Sequence, residues 1–237
     1  MGGFFVDRDT GARLDGDVLG TGTELNLEGD LGLDTSSTVF RLDGAYRISD
    51  SHRVDFALFD LSRESKAQLI DSEIQFGDET YEVNTQVDSK LDLIIFKLAY
   101  TWSFLLRDES FLGASLGLYT ATTKAEIRTT SVVGSVESDG LTAPLPVIGL
   151  RGAYQIAPRW VFRGSAEIFQ LEIDNIDGRL VDVFAGVDLL VHNTISVGLG
   201  YNYAETNIDS TNQDFSGGLD WTYDGVMLYG QIGFGGI

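Results

Sequence analysis

Apolar residues recur along this chain at every second position rather than every third or fourth. That period belongs to strands with one apolar face. Between Val39 and Ile48 one face carries Phe40, Leu42, Gly44, Tyr46 and Ile48, and the other Val39, Arg41, Asp43, Ala45 and Arg47. Later segments repeat the pattern. Trp160, Phe162, Gly164, Ala166 and Ile168 oppose Val161, Arg163, Ser165, Glu167 and Phe169, and Ile195, Val197, Leu199, Tyr201 and Tyr203 oppose Ser196, Gly198, Gly200, Asn202 and Ala204. The alternation predicts ten strands near 3–14, 37–49, 53–66, 88–105, 111–127, 142–156, 160–172, 180–191, 194–206 and 219–234, with eight or twelve as alternatives. Thr23–Leu27 alternates too and extends the first hairpin.

The connections between these segments alternate in length. Ser49–His52, Leu106–Ser110, Ala157–Arg159 and His192–Asn193 are short, whereas 15–36, 67–87, 128–141 and 207–218 are long and 173–179 is intermediate. No linker divides the chain. The expected fold is all-β: one antiparallel up-and-down transmembrane barrel over 1–237, with short turns in the periplasm and long loops outside. Both termini then lie on the short-turn side, which requires an even strand count.

Periodicity does not say which face meets lipid. Aromatic positions tilt the choice. Tyr46, Tyr100, Trp102, Phe104, Tyr154, Trp160 and Phe234 fall near the short-turn ends, and Tyr201, Tyr203, Trp221 and Tyr223 toward the long-loop ends. Two such bands suit the two bilayer interfaces. The opposite face is small or charged and then lines the lumen. Its charged cluster is Arg41, Asp43, Arg47, Asp55, Lys97, Arg151, Arg163, Glu167, Asp182 and Asp188. Unpaired charge in a narrow lumen is costly, so the default role is an ion-paired plug, with a charged constriction in a water-filled pore as the alternative. On this face assignment Leu199→Arg is expected to disrupt insertion and Gly198→Ser to be mild.

The last strand, Leu228-Tyr229-Gly230-Gln231-Ile232-Gly233-Phe234, resembles the C-terminal assembly signal of bacterial outer-membrane barrels, although Gly235-Gly236-Ile237 follow where that signal usually ends on the aromatic. The hairpin plan over nearly the whole chain is similar to the small outer-membrane barrels of the OmpA and OmpW type. Leu27-Glu28-Gly29-Asp30-Leu31-Gly32-Leu33-Asp34, Phe40-Arg41-Leu42-Asp43-Gly44 and His52-Arg53-Val54-Asp55-Phe56 also resemble outer-membrane barrel sequences. The resemblance implies a bacterial outer-membrane location, a monomer among bilayer lipid and lipopolysaccharide, and insertion by the outer-membrane assembly machinery. Met1-Gly2-Gly3-Phe4-Phe5 has no secretory signal character. Either the protein is cytoplasmic or, as the rest favours, the chain is a mature form whose export signal has given way to a start Met.

Composition narrows the chemistry. Thirty-six acids against 16 Lys and Arg give a net charge of −20, which excludes a basic nucleic-acid footprint. The absence of Cys excludes disulfides, zinc–thiolate sites and thiol catalysis. Residues 1–35 hold eight acids and two bases, and 205–224 five acids and no base. Solvated, mutually repelling loops are the simple reading. The other is a loop-bound divalent cation bridging to lipopolysaccharide phosphates, although Asp30, Asp34, Asp174 and Asp177 form no complete ligand series. No resident cofactor, catalytic residue or metal ligand is expected. Barrel enzymes of the resembled class generally use a His near the outer rim, whereas His52 and His192 fall in short turns, so the expectation is a protein without enzymatic activity. The expected function is a structural or narrow-pore barrel that favours small cations. The alternatives are a surface ligand-binding, cation-binding or adhesion barrel, and a soluble lipocalin-like barrel with its apolar face inward.

Overall fold

The computed structural model describes residues 1–16, 20–107, 110–129, 135–137, 141–173, 176–211 and 216–233. In chain order the strands are β1 (Gly2–Leu14), β2 (Leu25–Asn26), β3 (Ser36–Ser49), β4 (His52–Asp60), β5 (Arg63–Leu69), β6 (Ile74–Phe76), β7 (Glu79–Tyr81), β8 (Gln86–Arg107), β9 (Ser110–Thr129), β10 (Ser135–Glu137), β11 (Leu141–Ala157), β12 (Trp160–Ile173), β13 (Ile176–His192), β14 (Ile195–Thr211) and β15 (Ser216–Ile232). Ten of them close a ring of antiparallel ladders in the order β1-β3-β4-β8-β9-β11-β12-β13-β14-β15, and β15 pairs back onto β1 from Gly2↔Tyr229 to Leu14↔Gly217. Closure leaves no free edge along the ring, the condition for a strand structure in lipid. The ring matches the ten expected segments. The expected strand 53–66 breaks at Leu61–Ser62, after which β5 pairs only with β8. The expected loops at 173–179 and 207–218 are largely strand, because β13, β14 and β15 run on together beyond their apolar outer stretch.

The outer surface divides into two zones. Near the short turns it is apolar. β8 turns Ile94, Phe96, Leu98, Tyr100, Trp102 and Phe104 outward, and β14 turns Val197, Leu199 and Tyr201 outward. Farther along, the same outward positions become Lys90 and Asp92 on β8 and Glu205, Asn207 and Asp209 on β14. The interior changes in the opposite sense. Beside the apolar belt it is small and charged; beyond it, it is apolar, with Val87, Leu91, Leu93 and Ile95 buried on β8. Both faces of 93–96 are therefore apolar, because that stretch crosses from one regime to the other.

Two inward-folded segments supply much of the upper core. Leu25, Leu27, Leu31 and Leu33 are buried inside the barrel mouth, as are Ile70, Ile74, Phe76 and Tyr81. Burying each such side chain is worth about 1.5–3 kcal/mol over leaving it exposed. The β6–β7 hairpin turns at Gly77, whose φ of 61° is a left-handed conformation that glycine adopts without strain. The two segments are joined by paired bonds: the Gln75 amide donates to Thr23 Oγ1 at 2.9 Å, and the Thr23 amide to the Gln75 carbonyl at 2.9 Å. The sequence reading placed both stretches in long outer loops except for Thr23–Leu27, expected to extend the first hairpin, where β2 does pair with β1; the spaced leucines and isoleucines of both turn inward instead.

A buried clamp fastens the first segment. Arg63 pairs with Glu28 and donates to Thr10 Oγ1 and, at 2.9 Å, to the Asp34 carbonyl. The Thr10 amide donates to the other Glu28 oxygen at 2.8 Å. Arg8 stands beside Arg63 and donates to the Leu61 carbonyl at 2.9 Å. Glu28 is thus a structural anion under the strap rather than a solvated loop charge.

Candidate functional site

Inward parity on six strands brings the charged side chains together below the upper core. β3 contributes Arg41 and Asp43, β4 Arg53 and Asp55, β8 Lys97, β11 Arg151, β12 Arg163 and Glu167, and β13 Asp182 and Asp188. Five cations thus meet five carboxylates, and all of these but Asp188 line a cavity of about 200 Å³. Lys97 pairs with Asp182 and lies 3.9 Å from Glu167. Arg151 pairs with Glu167 and reaches Asp55 at 4.0 Å. Asp55 is also held by Arg53 and by the Thr101 hydroxyl, which donates at 3.1 Å. Arg41 binds Asp43 at 3.0 Å and donates to Asn202 Oδ1. Asn202 Nδ2 donates in turn to Asp182 at 3.2 Å. Arg163 pairs with Asp188, which accepts from Tyr229 OH at 2.8 Å and Gln231 Nε2 at 3.2 Å.

Carboxylates as buried as Asp182 and Asp188 would be costly alone. Each here has a cation and at least one neutral donor. The charges therefore join the walls to one another across the lumen, an arrangement suited to sealing and rigidity.

An aromatic layer separates this storey from the apolar one. Phe4, Phe59 and Tyr223 pack edge to face, with centroids 5.7–6.4 Å apart. The Arg41 guanidinium lies 4.8 Å from the Phe59 centroid, and Lys97 Nζ 5.1 Å from that of Tyr119. Cations below the rings gain from the ring faces, and Tyr223 donates to Asp182 at 3.0 Å.

Nine of the ten charged residues singled out in the sequence are in this cluster. The tenth, Arg47, lies nearer the short-turn mouth and makes no ion pair among the described residues. Arg53 was missed, although it shares inward parity with Asp55. Asn202, Tyr223 and Tyr229 were missed because neutral donors carry no charge signal.

The girdle needs one correction. Tyr46, Tyr100, Trp102, Phe104, Tyr154, Trp160, Tyr201 and Tyr203 do face outward. Trp221 is only 2% exposed and Tyr223 fully buried, both inside the barrel. β15 turns Val226, Leu228 and Ile232 outward, so its odd-numbered residues face in. Phe234 lies outside the described residues, as does Asp174. Gly198→Ser is likewise no longer expected to be mild, because a Cβ there would stand 2.1 Å from Tyr229 Cε2.

Both histidines sit at the short-turn end. His52 Nδ1 shares a hydrogen bond with Tyr100 OH, the rings stacked at 5.8 Å, and His192 Nδ1 lies 3.4 Å from Thr194 Oγ1. Among the described residues no group of three or more metal-ligating side chains is arranged to hold an ion.

No protein-family model and no curated protein sequence matches the chain. Solved structures do. The outer-membrane protease OmpT of Escherichia coli is 11% identical, with a TM-score of 0.60, covering 98% of this chain and 95% of its own. The translocator domain of the autotransporter NalP from Neisseria meningitidis is 11% identical at a TM-score of 0.40, covering 97% and 88%. The toluene transporter TodX of Pseudomonas putida is 10% identical at 0.33, covering 99% and 91%. The first likeness overturns the expectation of a chain without enzymatic activity. OmpT is a protease on a barrel of this extent, so the position of the two histidines does not exclude enzymatic activity. OmpT is an outer-membrane barrel, in keeping with the expected outer-membrane location. At such identity what is shared is the fold: an antiparallel β-barrel of the outer-membrane class.

Proposed function

We propose that this protein is an integral outer-membrane barrel with a closed lumen, sealed at two levels and acting as a structural barrel rather than an open pore. Short turns face the periplasm, and the strand extensions with their inward-folded strap rise above the outer leaflet. The observation that carries this reading is the cross-lumen bridge of Lys97 on β8 to Asp182 and Glu167 on β13 and β12. It ties opposite walls together where a pore would need water. The aromatic layer and the leucine-rich strap close the path above it.

Two earlier readings lose support. A cation-favouring constriction calls for excess negative charge in the lumen, whereas the cluster is balanced. A soluble lipocalin-like barrel would not carry Phe40, Leu116, Leu199 and Leu228 on its outer face. The acidic outer positions above the belt, among them Asp7, Asp9 and Glu205, would stand among lipopolysaccharide headgroups, where divalent cations reconcile like charges.

Planar-bilayer recording tests the closed lumen. The refolded full chain is expected to insert without unitary current steps. Regular steps from the wild-type protein would restore the pore reading.

A further inference from the structure

The short-turn mouth of the barrel repeats, with the signs reversed, a problem that the lumen solves internally. Arg47 and Arg53 are direct cross-strand partners on the inner face of β3 and β4. Like charges opposite each other in a ladder repel. Where two acids stand so, at Glu167 and Asp182, Lys97 is driven between them. Arg53 has Asp55 and is oriented by the Phe111 ring 4.8 Å away. Arg47 has no ion-pair partner among the described residues, nor does Arg107 at the end of β8. All three arginines line one cavity of about 300 Å³, which opens beside the charged lumen. Ser49, Ser103 and Ser110 also line it. Its one acid among the described residues is Asp50; Asp108 and Glu109 lie outside them.

We propose that this mouth is an oxyanion-binding vestibule, which takes a small phosphate- or carboxylate-bearing ligand of two or more negative charges from the short-turn side. Guanidinium groups match planar carboxylate and phosphate oxygens in pairs and keep their charge at every physiological pH. Serine hydroxyls supply neutral donors beside them. The net charge of −20 does not oppose this locally. The acidic segments sit at the far end of strands spanning about 30 Å, several Debye lengths of about 8–10 Å away. An anion bound here would stand between Arg47 and Arg53 and give Arg47 its counter-charge. The inference does not depend on whether the lumen conducts.

Isothermal titration of the folded, detergent-solubilised full chain tests it at about 0.1 M salt, with pyrophosphate as the phosphate probe and citrate as the carboxylate probe. Arg47→Gln and Arg107→Gln are compared with Arg159→Gln, a turn arginine that does not line the cavity. Saturable one-to-one binding of either anion is expected, weakened at least about tenfold in both vestibule variants and unchanged in Arg159→Gln. The probe that binds identifies the oxyanion class. Failure of both anions to bind saturably overturns the proposal, and so does equal weakening by all three substitutions, which would mean diffuse charge attraction. A heat-modifiability shift checks folding, and should Arg47→Gln misfold, Arg107→Gln carries the comparison.

Discussion

Glu167 and Asp182 stand opposite each other in the β12–β13 ladder, both almost fully buried, and Lys97 reaches them from β8 on the far wall. The bridge converts a repulsive pair into a tie across the lumen. Lys97→Met would leave two buried carboxylates short of a cation, at a cost of about 3–5 kcal/mol. Urea unfolding in detergent micelles should show the midpoint fall. Neutralising the acid left unpaired, with Asp182→Asn, should recover most of the loss, since Glu167 keeps Arg151. A Lys97→Met barrel as stable as the wild type would mean that the lumen is hydrated and the bridge dispensable.

Leu199 and Gly198 are neighbours on opposite faces of β14. Leu199→Arg places a charge in the apolar belt and should cost about 2–4 kcal/mol at mid-bilayer depth. Ser165→Ala, on the inner face beside the cavity, should change stability little. Gly198→Ser should be destabilising by about 1–3 kcal/mol through crowding against Tyr229. Equilibrium folding into lipid vesicles measures all three. An Arg tolerated at 199 would reverse the face assignment.

The strap depends on Arg63. Arg63→Met leaves Glu28 buried without its cation, and the leucines of 25–33 should leave the barrel mouth more often. Limited proteolysis should then cut within 25–35 at a rate well above that of the wild type, while the belt strands remain protected. Identical cleavage patterns would show that apolar packing alone holds the strap.

Asp15 gives the mouth an acid-sensitive tether. Burial of its carboxylate acts to raise the pKa. The Gly22 amide at 3.0 Å, the Ser216 hydroxyl at 3.0 Å and Arg13 at 3.1 Å outweigh it and hold the group below its ordinary 3.8. A depressed folded pKa contributes stability that is complete above the unfolded value of about 3.9 and is lost as pH falls through the folded value. Hydrogen exchange at Gly22, corrected for intrinsic rate, should lose protection below that value and not above it. Asp15→Asn should remove the pH dependence, and a dependence that survives it would assign the tether elsewhere.

The ring of strands was legible because period-two alternation is strong wherever one face meets lipid, as along 195–203. The rest was hidden by the reversal of polarity above the belt. At 93–96 both faces are apolar, so alternation stops discriminating. The strap leucines at 25, 27, 31 and 33 keep a period of two, but only Thr23–Leu27 was read as alternating, and the acids among them made the rest of the segment read as a loop. Trp221 was recoverable: its parity with Met227 and Tyr229, against Val226 and Leu228, already placed it inside. Most of the charged site was readable from inward parity on single strands, but its pairing was not, since Lys97 and Asp182 come together only when the ring closes.

The three tryptophans test the central claim, an apolar belt facing lipid around a sealed interior. Trp102 and Trp160 are 51% and 47% exposed on the outer face, whereas Trp221 is 2% exposed inside. Variants that each retain one tryptophan can be folded into bilayers containing brominated lipid, whose acyl chains quench emission on contact. Strong quenching of Trp102 and Trp160 with Trp221 left bright is the predicted result. Equal quenching of Trp221, or no quenching at any of the three, would contradict it.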